Sequence, residues 1–110
     1  MDIRQTRGTP FSSTANGISS AMGSAQAVTD VVYHITDIAG SSNSGTALIQ
    51  VTAANTGGTA VVVWQAQVGT AVAYHQSFTS PLFGKPSGSV AIVVTGTGLC
   101  FANMSGYRIP

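Results

Sequence analysis

The side chains able to do acid–base or nucleophilic chemistry are few. The chain holds two histidines, His34 and His75, three carboxylates, Asp2, Asp30 and Asp37, one thiol, Cys100, and no glutamate. A metal or catalytic role for the histidines needs a third ligand or a group that orients the ring. Asp30 and Asp37 share one short segment with His34, whereas Asp2 lies near the start of the chain. Paired-carboxylate hydrolysis therefore has a single cramped candidate pair, Asp30 with Asp37. Serine is abundant, yet no Gly-x-Ser-x-Gly elbow, phosphate loop, dinucleotide fingerprint or EF-hand loop occurs. Cys100 alone permits neither an internal disulfide nor a cysteine-based zinc site. Among Leu99, Phe101 and Ala102 it reads as a small buried hydrophobe. No catalytic, cofactor or metal site is expected, and the chain reads as a non-enzyme.

What must position these few groups is a body with very little charge. Lys, Arg, Asp and Glu make up 6% of the 110 residues, against about a quarter in an average soluble domain. No fixed charge falls between Asp37 and Lys85. With 44% apolar residues on so little charge, the surface must be wetted by Ser, Thr, Asn and Gln or covered by other subunits. A net charge of +1 leaves no basic footprint for nucleic acid. The longest apolar run is five residues, far short of the roughly 20 that a membrane-spanning helix needs. The first residues, MDIRQTRGTPFSS, lack the apolar segment of a secretory leader.

From Val28 onward the pattern is that of strands. Val61, Val62 and Val63 in TAVVVWQAQV are β-branched and suit a pleated strand. Alternation there puts Ala60, Val62, Trp64, Ala66 and Val68 on one row, which suggests a central strand with one buried face. Further apolar rows are Val31, Tyr33 and Ile35; Ala47, Ile49, Val51 and Ala53; Val72, Tyr74 and Phe78; and Val90, Ile92 and Val94. The glycines of Asn55–Gly58 suit a hairpin turn. Thr79–Ser89, with two prolines and two glycines, reads as a loop. Thr95–Gly98 reads as a turn into a strand over Leu99–Met104, and Ser105–Pro110 as a short final edge strand. Six or seven short strands with a turn signal about every ten residues predict one domain, an antiparallel β-sandwich of jelly-roll type.

Residues 1–27 differ from this body, which spans 28–110. They carry three of the seven charges within a small, polar stretch. Ile18, Met22 and Ala25 stand at i, i+4 and i+7, so a short amphipathic helix is conceivable, though Gly17, Gly23 and the serines oppose it. The preferred expectation is an extended arm, flexible or ordered by a partner. Arg4, Arg7, Phe11, Ile18 and Met22 are its candidate contact residues. Tyr33, Tyr74 and Tyr107 with Trp64 could line a sugar platform, but Trp64 and Tyr74 fall on rows assigned to the core. His34 and His75 fall on the rows opposite the apolar ones, so each reads as a polar residue on a wet or inter-subunit face.

The run SPLFGKPSGSVAIVVTGTGLCFANMSGYRI, taken with VVYHITDIAGSS, TALIQVTAA and VVVWQAQVG, resembles the small all-β structural proteins of tailed-phage virions, in particular head decoration or cement proteins. The likeness spans about residues 28–109 and carries no catalytic signature. It implies a virion protein at the capsid surface that binds the major capsid protein or other virion subunits. It further implies a homo-oligomer, trimer or dimer, tied down by its N-terminal arm. A tail, neck or fibre component of the same particle is the first alternative. A carbohydrate-binding β-sandwich is the second.

Overall fold

Every strand but two is hydrogen-bonded to the last and longest one. The computed structural model describes residues 8–55, 58–70 and 73–110. They form β1 (Thr9–Ala25), β2 (Val32–Ser42), β3 (Ala47–Ala54), β4 (Val61–Val68), β5 (Tyr74–Phe83) and β6 (Ser89–Ile109). All pairings between these strands are antiparallel, and the order is β4-β3-β6-β2-β5 with β1 also on β6. The N-terminal half of β6 lies between β3 and the C-terminal half of β1. Its C-terminal half lies between β2 and the N-terminal half of β1. The sheet is thus two four-strand stretches, β4-β3-β6-β1 and β5-β2-β6-β1, sharing a bent two-stranded ribbon. The all-β, sandwich-like architecture expected from strand spacing is the one observed.

Side-chain size explains how the sheet curls. After Phe11, the inward positions of β1 are Ser13, Ala15, Gly17, Ala21, Gly23 and Ala25, all small, and its backbone folds back on itself. A Cβ on Gly23 would stand 2.5 Å from the Thr14 carbonyl oxygen. At the far ends of the strand order, Trp64 of β4 reaches Tyr74 and Phe78 of β5 with ring centroids 6.1 and 5.9 Å apart. Small residues let the layers meet on the β1 side and large rings fill the wider side, giving a tapered core. Ile35, Ile38, Ile49, Val51, Ile92, Val94 and Met104 fill its middle with no exposed surface.

Several expectations are corrected. Thr9–Ala25 is not an arm outside the body and not a helix; it is a strand of the sheet. Alternation of small residues at odd positions matches the inward face, so Ile18 and Met22 point outward while Ala25 points inward. Arg4 and Arg7 lie outside the described residues. β4 is the end of the strand order rather than its centre. A register shift opposite Val51–Thr52 displaces its first residues. Trp64, Ala66 and Val68 face the core, whereas Val61, Val62 and Val63 are all exposed.

Thr95–Gly98 does not turn the chain. Neither Gly96 nor Gly98 has the positive φ a tight hairpin requires, so β6 runs through them unbroken to Ile109. Thr79–Phe83 belongs to β5 despite Pro81, because β5 ends the sheet and Pro81 falls in the irregular stretch between the Leu82 and Ser77 pairings. Antiparallel pairing of β3 with β4 agrees with the expected hairpin. Thr56, Gly57 and Val72, which also carried expectations, lie outside the described residues.

Candidate functional site

The outward face of β5-β2-β6-β1 is where the predicted functional residues gather. Register places Phe83, His34, Tyr107 and Pro10 side by side across the four strands. Below them comes a row of Ser77, Asp37, Ser105 and Ser12, then one of His75, Ala39, Asn103 and Thr14. An irregularity at Thr36 lets His34 and Asp37 share this face although they stand three positions apart.

The first row is aromatic. The His34 ring stacks on Tyr107 at 5.0 Å and 26° and meets Phe83 edge-on at 4.8 Å and 85°. Phe83 keeps 56% of its surface exposed. Partial burial between these rings pushes the His34 pKa below its ordinary value. Because the unfolded chain then takes up the proton first, stability falls as pH drops from 6.5 toward the lowered folded value. Melting followed from about pH 8 to about pH 5 should show this decline, and H34Q should flatten it. An unchanged slope in H34Q would assign the decline to another group.

The second row is built around a carboxylate. Asp37 Oδ1 accepts a hydrogen bond from Ser77 Oγ at 2.7 Å, and Oδ2 accepts one from Thr36 Oγ1 at 3.0 Å. His75 Nε2 stands 3.4 Å from Oδ1. The Ser77 hydroxyl and then that of Thr36 hold the Asp37 carboxyl below the usual carboxylate range against the opposing effect of burial, and the His75 imidazole adds to the lowering. Serine, histidine and aspartate thus meet, but the serine donates to the carboxylate and not to the imidazole. Without a base on its oxygen, Ser77 lacks the activation that nucleophilic catalysis needs. The described residues contain no cluster of three metal-ligating side chains. Asp30, the other member of the one candidate carboxylate pair, sits in the turn before β2, where its backbone N–H donates to Ser87 Oγ at 2.9 Å.

At the other end of the same face the surface turns apolar. Ile18 of β1 pairs with Leu99 of β6, and Phe101 follows two residues on, paired with Asn16. These three are 76, 48 and 37% exposed. Beside them Asn16, Ser41, Asn43, Leu99 and Phe101 line an open depression of ≈ 570 Å³. Met22, 66% exposed, lies beyond the bend in β1, paired with Val93. Of the contact residues expected in the arm, Ile18 and Met22 therefore stand free to meet a partner. Phe11 does not, because its ring packs edge-on against Tyr33 at 4.8 Å and joins the core.

Tyr33 is buried and its hydroxyl donates to the Gln26 carbonyl oxygen at 2.6 Å, which removes it from any sugar platform. Trp64 and Tyr74 pack against the core as expected, and Cys100 is fully buried. Phe83 and Pro10 were missed. Phe83 fell in a segment read as loop, and only its register opposite His34 reveals the row.

No protein-family model and no curated protein sequence matches the chain. Among solved structures, PirA is similar with a TM-score of 0.50 and 18% identity, covering 89% of this chain and 92% of that one. At that identity the likeness is one of fold. A structure of infectious bursal disease virus, Gx strain, also aligns, with a TM-score of 0.45 and 11% identity over 94% of this chain and 34% of that one.

Proposed function

We propose that the chain is a non-enzymatic structural subunit of a virus particle, of the decoration or cement type, that binds the capsid surface and itself associates as a dimer or trimer. The observation that carries this reading is the exposed ridge of Ile18, Leu99 and Phe101, with Met22 beyond the bend, on a chain only 6% charged. Burying side chains of this kind stabilises contacts by about 1.5–3 kcal/mol each. Repeated over several copies on a symmetric shell, modest contacts add up to firm attachment.

The test combines light scattering after size exclusion with quantitative mass spectrometry of purified particles carrying the chain. Wild type should run as a discrete oligomer and copurify with the particles in many copies. Ile18→Asp with Leu99→Asp should leave the melting profile intact and weaken attachment about a hundredfold or more, because each buries an unpaired charge. Particles that retain the double variant, or a monomeric wild type absent from particles, would overturn the reading. A few copies per particle would instead indicate a tail, neck or fibre fitting.

A further inference from the structure

We propose that the outward face at the Phe83 end of the sheet is a binding site for a neutral oligosaccharide. Two adjacent rows supply the two chemistries such a ligand requires. Phe83, perpendicular to His34 and more than half exposed, gives an aromatic ring for the apolar face of a sugar, and the stacked His34–Tyr107 pair borders it. Rings of this kind, apolar yet set in a wet surface, are what recognition surfaces favour. The next outward row, about 7 Å along the strands, gives Asp37, Ser77 and Ser105 to meet hydroxyl groups. That spacing suits one pyranose ring with its substituents.

The carboxylate is held ready for the task. A carboxylate has about four acceptor positions. Ser77, Thr36 and His75 engage three of them and fix its orientation, leaving capacity for a ligand hydroxyl. Polar groups fixed before binding cost less order when the ligand arrives. The occupant follows from what these rows lack. They contain no Lys or Arg, so phosphate backbones and anionic headgroups find no counter-charge there. A purely apolar partner would bury the Asp37 carboxylate with its remaining acceptor position unfilled. A neutral polyol with one apolar face satisfies both rows.

The site is separate from the ridge of the assembly reading: along β6 its Ser105 lies four residues from Phe101, about 14 Å, and its Tyr107 eight residues from Leu99, about 27 Å. The experiment uses the full chain on an array of immobilised oligosaccharides, neutral ones of glucose, galactose, mannose and N-acetylglucosamine beside sulfated ones, followed by calorimetric titration of the best binder. Wild type should bind at least one of them. F83A and D37N should each weaken that binding about tenfold or more, while F83Y, which keeps the ring, and the Ile18→Asp, Leu99→Asp double variant should bind as wild type. Thermal melting of each variant shows whether it is folded. Absence of binding to every oligosaccharide, binding unaffected by F83A and D37N in folded protein, or binding of sulfated glycans alone would each overturn the proposal.

Discussion

A chain lacking residues 1–27 is expected not to fold. β1 lines both halves of β6, so its removal unpairs one side of the strand that holds the sheet together. The bared positions lie beside Val90, Ile92, Val94, Cys100, Ala102 and Met104, all buried in the intact chain. Lost with β1 are the edge contact of Phe11 on Tyr33, the buried Ala15 and the acceptor at Gln26 for the Tyr33 hydroxyl. Ladder hydrogen bonds contribute about 1 kcal/mol each, and a domain of this size has only about 5–15 kcal/mol in total. Losing a whole strand therefore removes an amount comparable to the entire stability. The truncated chain should show no cooperative melting transition by circular dichroism and should elute as aggregate. A soluble, cooperatively melting remainder would mean that β1 is an appendage, and a partner-binding arm would again be the better description.

The interior rows of this fold were legible because alternation survives wherever a strand has a neighbour on each side. Ala47, Ile49, Val51 and Ala53 read as one row and are one row, and so do Val90, Ile92 and Val94. Errors fall where backbone geometry, not side-chain type, decides the outcome. Three valines in succession read as the heart of a sheet, yet Val61–Val63 are exposed at its end, because β-branching reports fit to a pleat and not depth in the sheet. Thr95–Gly98 has the composition of a turn, but composition does not set φ, and the glycines serve close packing instead: a Cβ on Gly96 would stand 2.8 Å from Cys100 Sγ. Small inward residues of β1 carry almost no hydrophobic signal, so a strand that closes the core read as a tail.

The functional face was legible residue by residue but not as a face. His34 was expected on an outward row, and it is there, half-buried between rings rather than wet. Asp37 was weighed against Asp30, seven residues before it, whereas its partners beyond the adjacent Thr36 come from β5, 40 residues on in the case of Ser77. Cross-strand register brings such groups together, and register depends on the irregularity at Thr36, which no local pattern announces.

Gly23 is expected to be the least replaceable residue of β1. An added methyl there would meet the oxygen, carbon and nitrogen of Thr14 at 2.5, 2.7 and 3.0 Å. All three atoms are backbone, belonging to the other half of the same bent strand, so no rotamer change relieves the clash. Relief requires the two halves of β1 to separate, which opens the narrow side of the core, where Ala15 pairs with Ala102 and Ala21 with Val94. Overpacking of this kind typically costs 1–3 kcal/mol, and the backbone origin of the clash places G23A near the upper end, about 3 kcal/mol. For a domain of this length that lowers the melting temperature by roughly 12 °C. G58A serves as the comparison, because its nearest neighbours would be Asn55 Cβ at 3.3 Å and the Asn55 carbonyl oxygen at 3.4 Å in an exposed turn. It should melt within about 2 °C of wild type. Were G23A to melt with G58A, the halves of β1 would not be pressed together, and the tapered shape of the core would need another cause.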